Sequence, residues 1–187
     1  MDISACAKSY EALINIEYEF VVAKKGMRIP LRIIFQKTHF YHRAGLHYLV
    51  DIQCLRGDRE VIFDRLLNNE ITDTEIQKSR FYQKIKRRIE KLAGLEDFFD
   101  SNETVFRYNP NTNVFSLIHA EYLLENHSEK TKLFAFIDKN PDGNYFCRSF
   151  FPQEKYDYSI GQTKWTLLSK KKKFKSTGEE VILYTRT

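Results

Sequence analysis

The pattern of apolar residues changes near residue 100, and this change restricts the fold more than any other feature of the sequence. Residues 58–94 contain no proline and no glycine before Gly94, and apolar side chains recur every three or four positions at Phe81, Ile85, Ile89, Leu92 and Leu95. This spacing predicts amphipathic helix. From residue 104 onward, short runs rich in β-branched and aromatic residues alternate with turn sequences. Helices in the first half and an antiparallel sheet in the second predict an α+β fold.

The same patterns place the remaining elements. We expect a helix over residues 4–15, a hairpin of strands 17–23 and 29–35, and a second helix over residues 38–49. Strands of the second half are predicted at residues 104–108, 114–118, 132–137, 145–151, 165–169 and 181–184. A length of 187 residues suits one domain. The expected architecture is therefore a single domain, residues 1–187, with N-terminal helices and a helical insert, residues 58–100, packed on a mainly antiparallel sheet.

Composition excludes several classes of protein. Hydrophobic residues make up 42% of the chain and charged residues 29%, as in globular proteins and not in disordered ones. No apolar run approaches the roughly 20 residues of a membrane span, and the first residues do not resemble a signal peptide, so we expect a cytoplasmic protein without membrane contact. The glycines do not form a phosphate-binding loop, and the three cysteines are too far apart for a zinc site. We expect no cofactor and no metal.

Positive charge is concentrated in two segments. Residues 78–91 hold seven basic side chains and one acidic one, and residues 164–175 hold six basic side chains and none that is acidic. Because the net charge of the whole chain is only +5, the remainder is acidic. Such segments either contact a polyanion, usually nucleic acid, or form a solvated helix face and a charged strand end. The candidate contacts with nucleic acid are Lys84, Arg87, Arg88, Lys171 and Lys172.

Three of the five histidines lie within nine residues of the expected helix 38–49. Helical spacing puts His39, His42 and Arg43 on one face, with His47 further round. Imidazoles transfer protons near neutral pH, and a neighbouring guanidinium can stabilise an anionic phosphorane, so Arg43 joins the candidate contacts with nucleic acid. The alternative is that some of these rings are packing or capping groups. No carboxylate stands at metal-ligand spacing beside them, which argues against a metallohydrolase.

The expected strand 145–151 carries a second candidate group. Alternation puts Tyr145, Cys147, Ser149 and Phe151 on one face, and Phe146, Arg148 and Phe150 on the other. Arg148 between two phenylalanines is either an edge charge or a phosphate contact on a concave sheet face.

At these residues the chain resembles a known family. The segments that carry the resemblance are residues 35–49 (FQKTHFYHRAGLHYL), Asp51 with Ile52, residues 134–139 (FAFIDK), residues 145–152 (YFCRSFFP) and residues 158–168 (YSIGQTKWTLL). They resemble the fourth class of phage nuclease-like domains in the barnase/EndoU/colicin/RelE superfamily, over residues 15–170. The resemblance implies an α+β fold with helices before a four-stranded antiparallel sheet, and metal-independent RNA cleavage. It implies His42 and His39 as acid and base, and Arg148 and Ser149 as phosphate contacts.

The leading hypothesis is therefore a metal-independent endoribonuclease, such as a toxin of a phage or mobile element. His42 would deprotonate the ribose 2′-hydroxyl, and His39 or a tyrosine such as Tyr145 would protonate the leaving 5′-oxygen. Arg43 or Arg148 would neutralise the phosphorane. The expected partners are RNA and, in addition, an antitoxin or a host protein. The alternative is a non-catalytic protein of the same fold that binds nucleic acid or a host protein, as a defence or counter-defence inhibitor does.

Overall fold

The computed structural model describes residues 2–113, 116–128 and 131–186. The α-helices in these ranges are α1 (Ile3–Ile14), α2 (Lys37–Arg43), α3 (Arg59–Leu67), α4 (Asp73–Gln77), α5 (Gln83–Leu92) and α6 (Leu95–Ser101). Side chains cap several of them, as at α3, where the Asp58 carboxylate accepts hydrogen bonds from the amides of Glu60 and Val61. Over the same ranges, no helix has the length and apolar character needed to cross a membrane.

The strands of the described residues are β1 (Ile16–Lys24), β2 (Met27–Ile34), β3 (Thr104–Arg107), β4 (Tyr122–Ser128), β5 (Thr131–Lys139), β6 (Tyr145–Pro152), β7 (Thr163–Phe174) and β8 (Glu180–Thr185). Their order is β1-β2-β6-β5-β4-β3-β7-β8, and β1 also pairs with β7. The pairing of β2 with β6 is parallel and the others are antiparallel. The α+β class is confirmed. The sheet is not open, however, because seven strands close into a ring and β8 lies outside it on β7.

Strand β1 closes the ring because it pairs along its whole length on both edges. Glu17 lies opposite Ile34 of β2 on one edge and opposite Lys173 of β7 on the other. Alternate side chains of β1 are at most 2% exposed, namely Ile16, Tyr18, Phe20 and Val22. The ring of Tyr18 stacks on Phe99 of α6, with centroids 5.1 Å apart. The buried face of β1 thus joins the sheet to the helical segment.

The two faces of β5 bury different sets of side chains. Leu133, Ala135 and Ile137 belong to the larger core, which also contains apolar side chains from every α-helix. Phe134 and Phe136 point to a smaller cluster with Tyr108 and Leu123. This period of two is the signature of a strand covered on both faces. Helices α2 and α5 pack near β6, and this contact positions the site described below.

The structure differs from the sequence-based expectations at four places. The helix expected over residues 38–49 ends at Arg43, and a 3-10 turn, Leu46–Tyr48, follows it. Of the expected strand 114–118, residues 114–115 lie outside the described residues and residues 116–118 are irregular. Strand β4 was not predicted, because polar Glu125, Asn126 and His127 obscure its alternation. The basic segment 78–91 is helical only from Gln83 onward.

Candidate active site

The histidines and Arg148 line one cavity of about 420 Å³, which we call the histidine cavity. Helix α2 supplies His39 and His42, and the following 3-10 turn supplies His47. Strand β6 supplies Arg148 and Ser149. The remaining lining residues are Thr38, Tyr48, Arg59, Arg88, Leu117, Ile118, Phe146 and Cys147. The structure therefore brings the predicted catalytic residues of two distant segments to one place.

Gly45 explains why His47 joins the cavity. Its φ of +77° lies in the left-handed region, which ends α2 and turns the chain back. A Cβ atom at Gly45 would lie 2.8 Å from Cγ2 of Ile85 in α5, so the backbone approaches α5 too closely for any side chain. The turn places the His47 ring 4.8 Å from the His42 ring, measured between centroids. A continuous helix was expected to carry His47 away from this face.

The surroundings of the histidines favour the neutral imidazole. His39 stacks on Phe146 with centroids 5.0 Å apart, and burial lowers its pKa to about 3. Burial likewise lowers the pKa of His47 to about 4. The pKa of the more exposed His42 is also below its usual value, first because of desolvation and then because of Arg59 and Arg43. At neutral pH these rings are therefore uncharged imidazoles, and none of them is an imidazolium ion that could act as an acid.

Three guanidinium groups surround the imidazoles. Arg148 binds Asp138 through Nε and Nη2, 2.8 Å and 2.5 Å from Oδ2, and its side chain remains 45% exposed. Arg88 lies over the rings of Tyr48 and Phe151, 5.6 Å and 4.9 Å from their centroids. Exposed Arg59 is the first residue of α3. The cavity is therefore positively charged and suited to a phosphate group.

A β-bulge in β6 points Arg148 and Ser149 toward the same cavity. Phe136 of β5 pairs with Ser149, whereas the next residue, Ile137, pairs with Cys147, so Arg148 is the extra residue. Beyond the bulge, Phe150 is fully buried in the large core. Regular alternation had placed Arg148 and Ser149 on opposite faces, and that prediction is wrong. Bulges often redirect side chains beside functional sites.

Two residues with expected roles lie where those roles do not fit. Arg43 is fully buried, donates a hydrogen bond to the Tyr10 hydroxyl and lies over the Phe35 ring. It cannot contact a nucleic acid at the surface. Tyr145 is 4% exposed, does not line the histidine cavity, and has a pKa raised to about 12 by burial and by Glu121. It cannot protonate a leaving group there.

Most basic side chains of β7 serve contacts within the protein. The Lys170 ammonium is buried and donates hydrogen bonds to the carbonyl oxygens of Phe99, Asp100 and Asn102 at the end of α6. Lys172 is buried and pairs with Glu96 and Asp100, 2.6 Å and 2.8 Å away. Lys171 lies 3.7 Å from Glu180 of β8. The expected role of Lys172 in nucleic-acid binding therefore does not fit its position, whereas the Lys171 side chain remains 44% exposed.

Helix α5 presents its charges to solvent as expected. Ile85, Ile89 and Leu92 are buried, whereas Lys84 and Arg87 are exposed and Arg88 is partly so. Arg87 lies 3.9 Å from Glu154, with both side chains 64% exposed, a distance and exposure that contribute little binding energy. Of these cations, Arg88 lines the histidine cavity, and Lys84 and Arg87 lie beside it on the same helix and can contact a ligand.

Arg59, Tyr48 and His47 also line the cavity, although the sequence assigned none of them a catalytic or binding role. Arg59 falls in the segment treated as an insert, and no local pattern connects it to the histidines. Among the described residues, no group of three or more His, Cys, Asp or Glu side chains is placed to hold a metal ion.

Comparison with known proteins identifies the family. A family model described as phage-Barnase-EndoU-ColicinE5/D-RelE like nuclease4 (PBECR4) matches residues 2–187. A search of curated proteins and a search of solved structures found no match. The match covers nearly the whole chain. The chain therefore belongs to the PBECR4 family of nucleases.

Proposed function

We propose that this protein is a metal-independent endoribonuclease with His42 as the general base. The observation that carries the proposal is the convergence of His42, Arg59 and Arg148 on one cavity. An imidazole and two guanidinium groups are the set that RNA cleavage without a metal requires: one group to accept a proton and others to stabilise negative charge.

The chemical step begins at the ribose 2′-hydroxyl. His42 is the most exposed of the three histidines and stays neutral at pH 7 because its pKa is lowered, so it can accept the hydroxyl proton. The 2′-oxygen then attacks the adjacent phosphorus, and the bond from phosphorus to the 5′-oxygen breaks. The products are a 2′,3′-cyclic phosphate and a 5′-hydroxyl end. DNA lacks the 2′-hydroxyl, so the substrate is RNA.

The phosphorane carries additional negative charge, which Arg59 and Arg148 stabilise, and the Ser149 hydroxyl donates a hydrogen bond to a phosphate oxygen. The leaving 5′-oxygen must gain a proton. His39, with a pKa of about 3, is an uncharged imidazole at neutral pH and is not this acid; its ring packs against Phe146. The Tyr48 hydroxyl, on a ring that contacts His47 and lines the cavity, takes the role of acid that was expected of His39 or Tyr145.

The test is His42→Ala, compared with His127→Ala. Loss of a general base slows cleavage about 10²- to 10⁴-fold. His127 lies outside the histidine cavity with its side chain 65% exposed, so its removal should leave the rate unchanged. The measurement is the rate of formation of cyclic-phosphate ends from a labelled RNA, with and without EDTA. Cleavage by His42→Ala at the wild-type rate, or loss of wild-type activity in EDTA, would contradict the proposal.

One observation favours a different function, namely binding without catalysis. The described residues that line the histidine cavity include no carboxylate that could orient an imidazole. A protein of a phage or mobile element that inhibits host or rival nucleic-acid transactions would bind RNA, or an antitoxin or host protein, on the same surface. Tight RNA binding without turnover at any pH would select this alternative.

A further inference from the structure

Strand β8 has a partner on one edge only. Within the described part of the chain it pairs with β7, so the N–H and C=O groups along its other edge have no strand to bind. Proteins commonly protect such an edge with proline or with charges along the strand. β8 contains no proline, and its central residues are apolar, with Ile182 67% exposed and Val181 37% exposed. The edge is therefore open to a further strand.

The pairing with β7 shows which side chains of β8 share a face. Side chains that lie opposite each other in an antiparallel pair point to the same face of the sheet. Val181 and Tyr184 lie opposite two buried lysines, Lys172 and Lys170, and so point inward. Leu183 between them is the extra residue of a β-bulge. The residues on the outward face are Glu180, Ile182 and Thr185.

This bulge makes β8 complementary to a second copy of itself. Because of the extra residue, the order of inward and outward side chains is the same from either end of the strand. A two-fold axis between residues 182 and 183 would place Val181 of one copy opposite Tyr184 of the other, both inward. Glu180 would lie opposite Thr185, both outward. A strand without the bulge would pair an inward side chain with an outward one in this register.

The charges at the two ends of β8 fit the same register. The strand is preceded by Glu179 and followed by Arg186, and the two-fold axis brings these residues opposite each other at both ends of the pair. Both are exposed, and neither side chain has an ion-pair partner among the described residues. Glu180, in contrast, already lies 3.7 Å from Lys171. The pairing of two copies would therefore form two ion pairs between side chains that have none in the single chain.

The backbone directions agree with this arrangement. The carbonyl oxygen of Glu179 accepts a hydrogen bond from β7, and the amide of Arg186 donates one to β7. Backbone groups alternate in direction along a strand, so those of the adjacent residues, Glu180 and Thr185, face away from β7. These are the two residues that the two-fold axis places opposite each other, where they can exchange hydrogen bonds.

We infer that this protein forms a symmetric dimer in which the β8 strands of two copies pair antiparallel. The sheet of one copy then continues into the sheet of the other. The same surface serves both copies, so association ends at two chains. Because six residues of each copy form the pair, the interface is small and the dimer dissociates on dilution.

Sedimentation velocity of the full chain at a series of concentrations measures the association. Glu179→Arg places like charges at both ends of the pair and should weaken dimerisation roughly 5- to 30-fold, and Arg186→Glu should do the same. The double variant restores opposite charges and should dimerise like the wild type. Glu11→Arg changes an exposed charge on α1 by the same amount and should leave the association unchanged.

Hydrogen exchange tests whether β8 is the strand that pairs. The amides of Glu180 and Thr185 should exchange more slowly at concentrations where the dimer forms than in dilute solution. A chain that stays monomeric at millimolar concentration would overturn the inference and leave the edge to a strand of another protein. A dimer that the double charge variant fails to restore, or that leaves both amides unprotected, would equally contradict it.

Discussion

At the scale of the residue, position 45 requires both a positive φ and the absence of a Cβ atom, and only glycine meets both requirements. Alanine there would adopt a φ of +77° and place its Cβ 2.8 Å from the Ile85 side chain. We expect Gly45→Ala to lower the free energy of unfolding by about 2 to 4 kcal/mol, from backbone strain and overpacking together. Cleavage should fall as well, because the turn brings His47 against His42. Urea denaturation and the cleavage rate measure the two effects.

Gly143→Ala is the matched control for that substitution. Gly143 also has positive φ, +90°, but no atom lies within 4 Å of the position its Cβ would take. It should lose only the cost of the left-handed backbone, about 1 to 2 kcal/mol, and keep its activity. Equal losses in the two variants would show that α5 does not constrain the turn.

The sequence indicated the residues of the site better than their arrangement. His39 and His42 were found because residues three apart share one face of a helix, which is a local property of the sequence. Arg43 is excluded from the cavity surface because it is fully buried. The sequence around Arg43 does not indicate that its side chain is buried. Arg59 and Arg88 reach the cavity only through the packing of α3 and α5. No pattern within either helix indicates that packing.

At the scale of the element, the two basic segments differ in the partners of their charges. On α5 the charges face solvent, whereas on β7 Lys170, Lys171 and Lys172 contact carbonyl or carboxylate oxygens of the protein. We expect replacement of Lys84, Arg87 and Arg88 by Gln to flatten the log-log dependence of RNA affinity on salt by about two units, at about 0.7 per lost contact. Titrations at several salt concentrations measure the slope.

A triple variant of β7 with the same change of charge serves as the control. Lys164, Lys171 and Lys173 retain substantial exposure on β7, and their replacement by Gln should leave the slope unchanged. A slope flattened by the β7 variant and unaffected by the α5 variant would place the RNA on the other side of the molecule. The stability of the β7 variant should change little, because exposed charges contribute little. The α5 variant should lose some stability, because partly buried Arg88 packs on the rings of Tyr48 and Phe151.

The sequence predicts where a helix begins only when a local capping signal marks the start. Thr72 and Glu75 have the spacing of a capping box, and α4 begins directly after Thr72. Ser79 is also a residue type that caps helices, but its hydroxyl donates a hydrogen bond to Asp51 and accepts one from the amide of Phe81, and α5 begins four residues later. The competing partner, Asp51, is distant in sequence, so no local rule could anticipate it.

At the scale of the whole molecule, neutral buried histidines make stability depend on pH. His39 and His47 have pKa values of about 3 and about 4 when folded, against 6.5 for the unfolded side chain. Between these values the unfolded chain binds more protons, so stability falls as pH decreases below about 6.5. Each group contributes at most about 1.4 kcal/mol per pH unit, and less where it is partly exposed. Melting temperatures across this range test the effect.

His39→Gln should reduce the decline of the melting temperature with acidification, because the substituted side chain binds no proton. His119→Gln, at an exposed position, should leave the decline as it is in the wild type. Identical profiles for all three proteins would mean that folding does not lower the pKa of His39.

The closed sheet lay beyond sequence analysis because closure is a property of strand order. Alternation identifies that β1 is a strand, but the same alternation fits a strand with one partner or two. The pairing of β1 with β7 joins residues near opposite ends of the chain, such as Ile16 and Phe174. The parallel contact of β2 with β6 likewise links segments that are far apart in sequence.

This pairing of β1 with β7 also has a consequence for biosynthesis. During translation, β1 emerges long before its second partner β7, so one edge of β1 stays unpaired while the intervening strands are made. Contacts between such distant segments form slowly, because a long loop must first be closed. The ring therefore closes only after β7 has left the ribosome. A nuclease built in this way stays incomplete during the synthesis of its first seven strands.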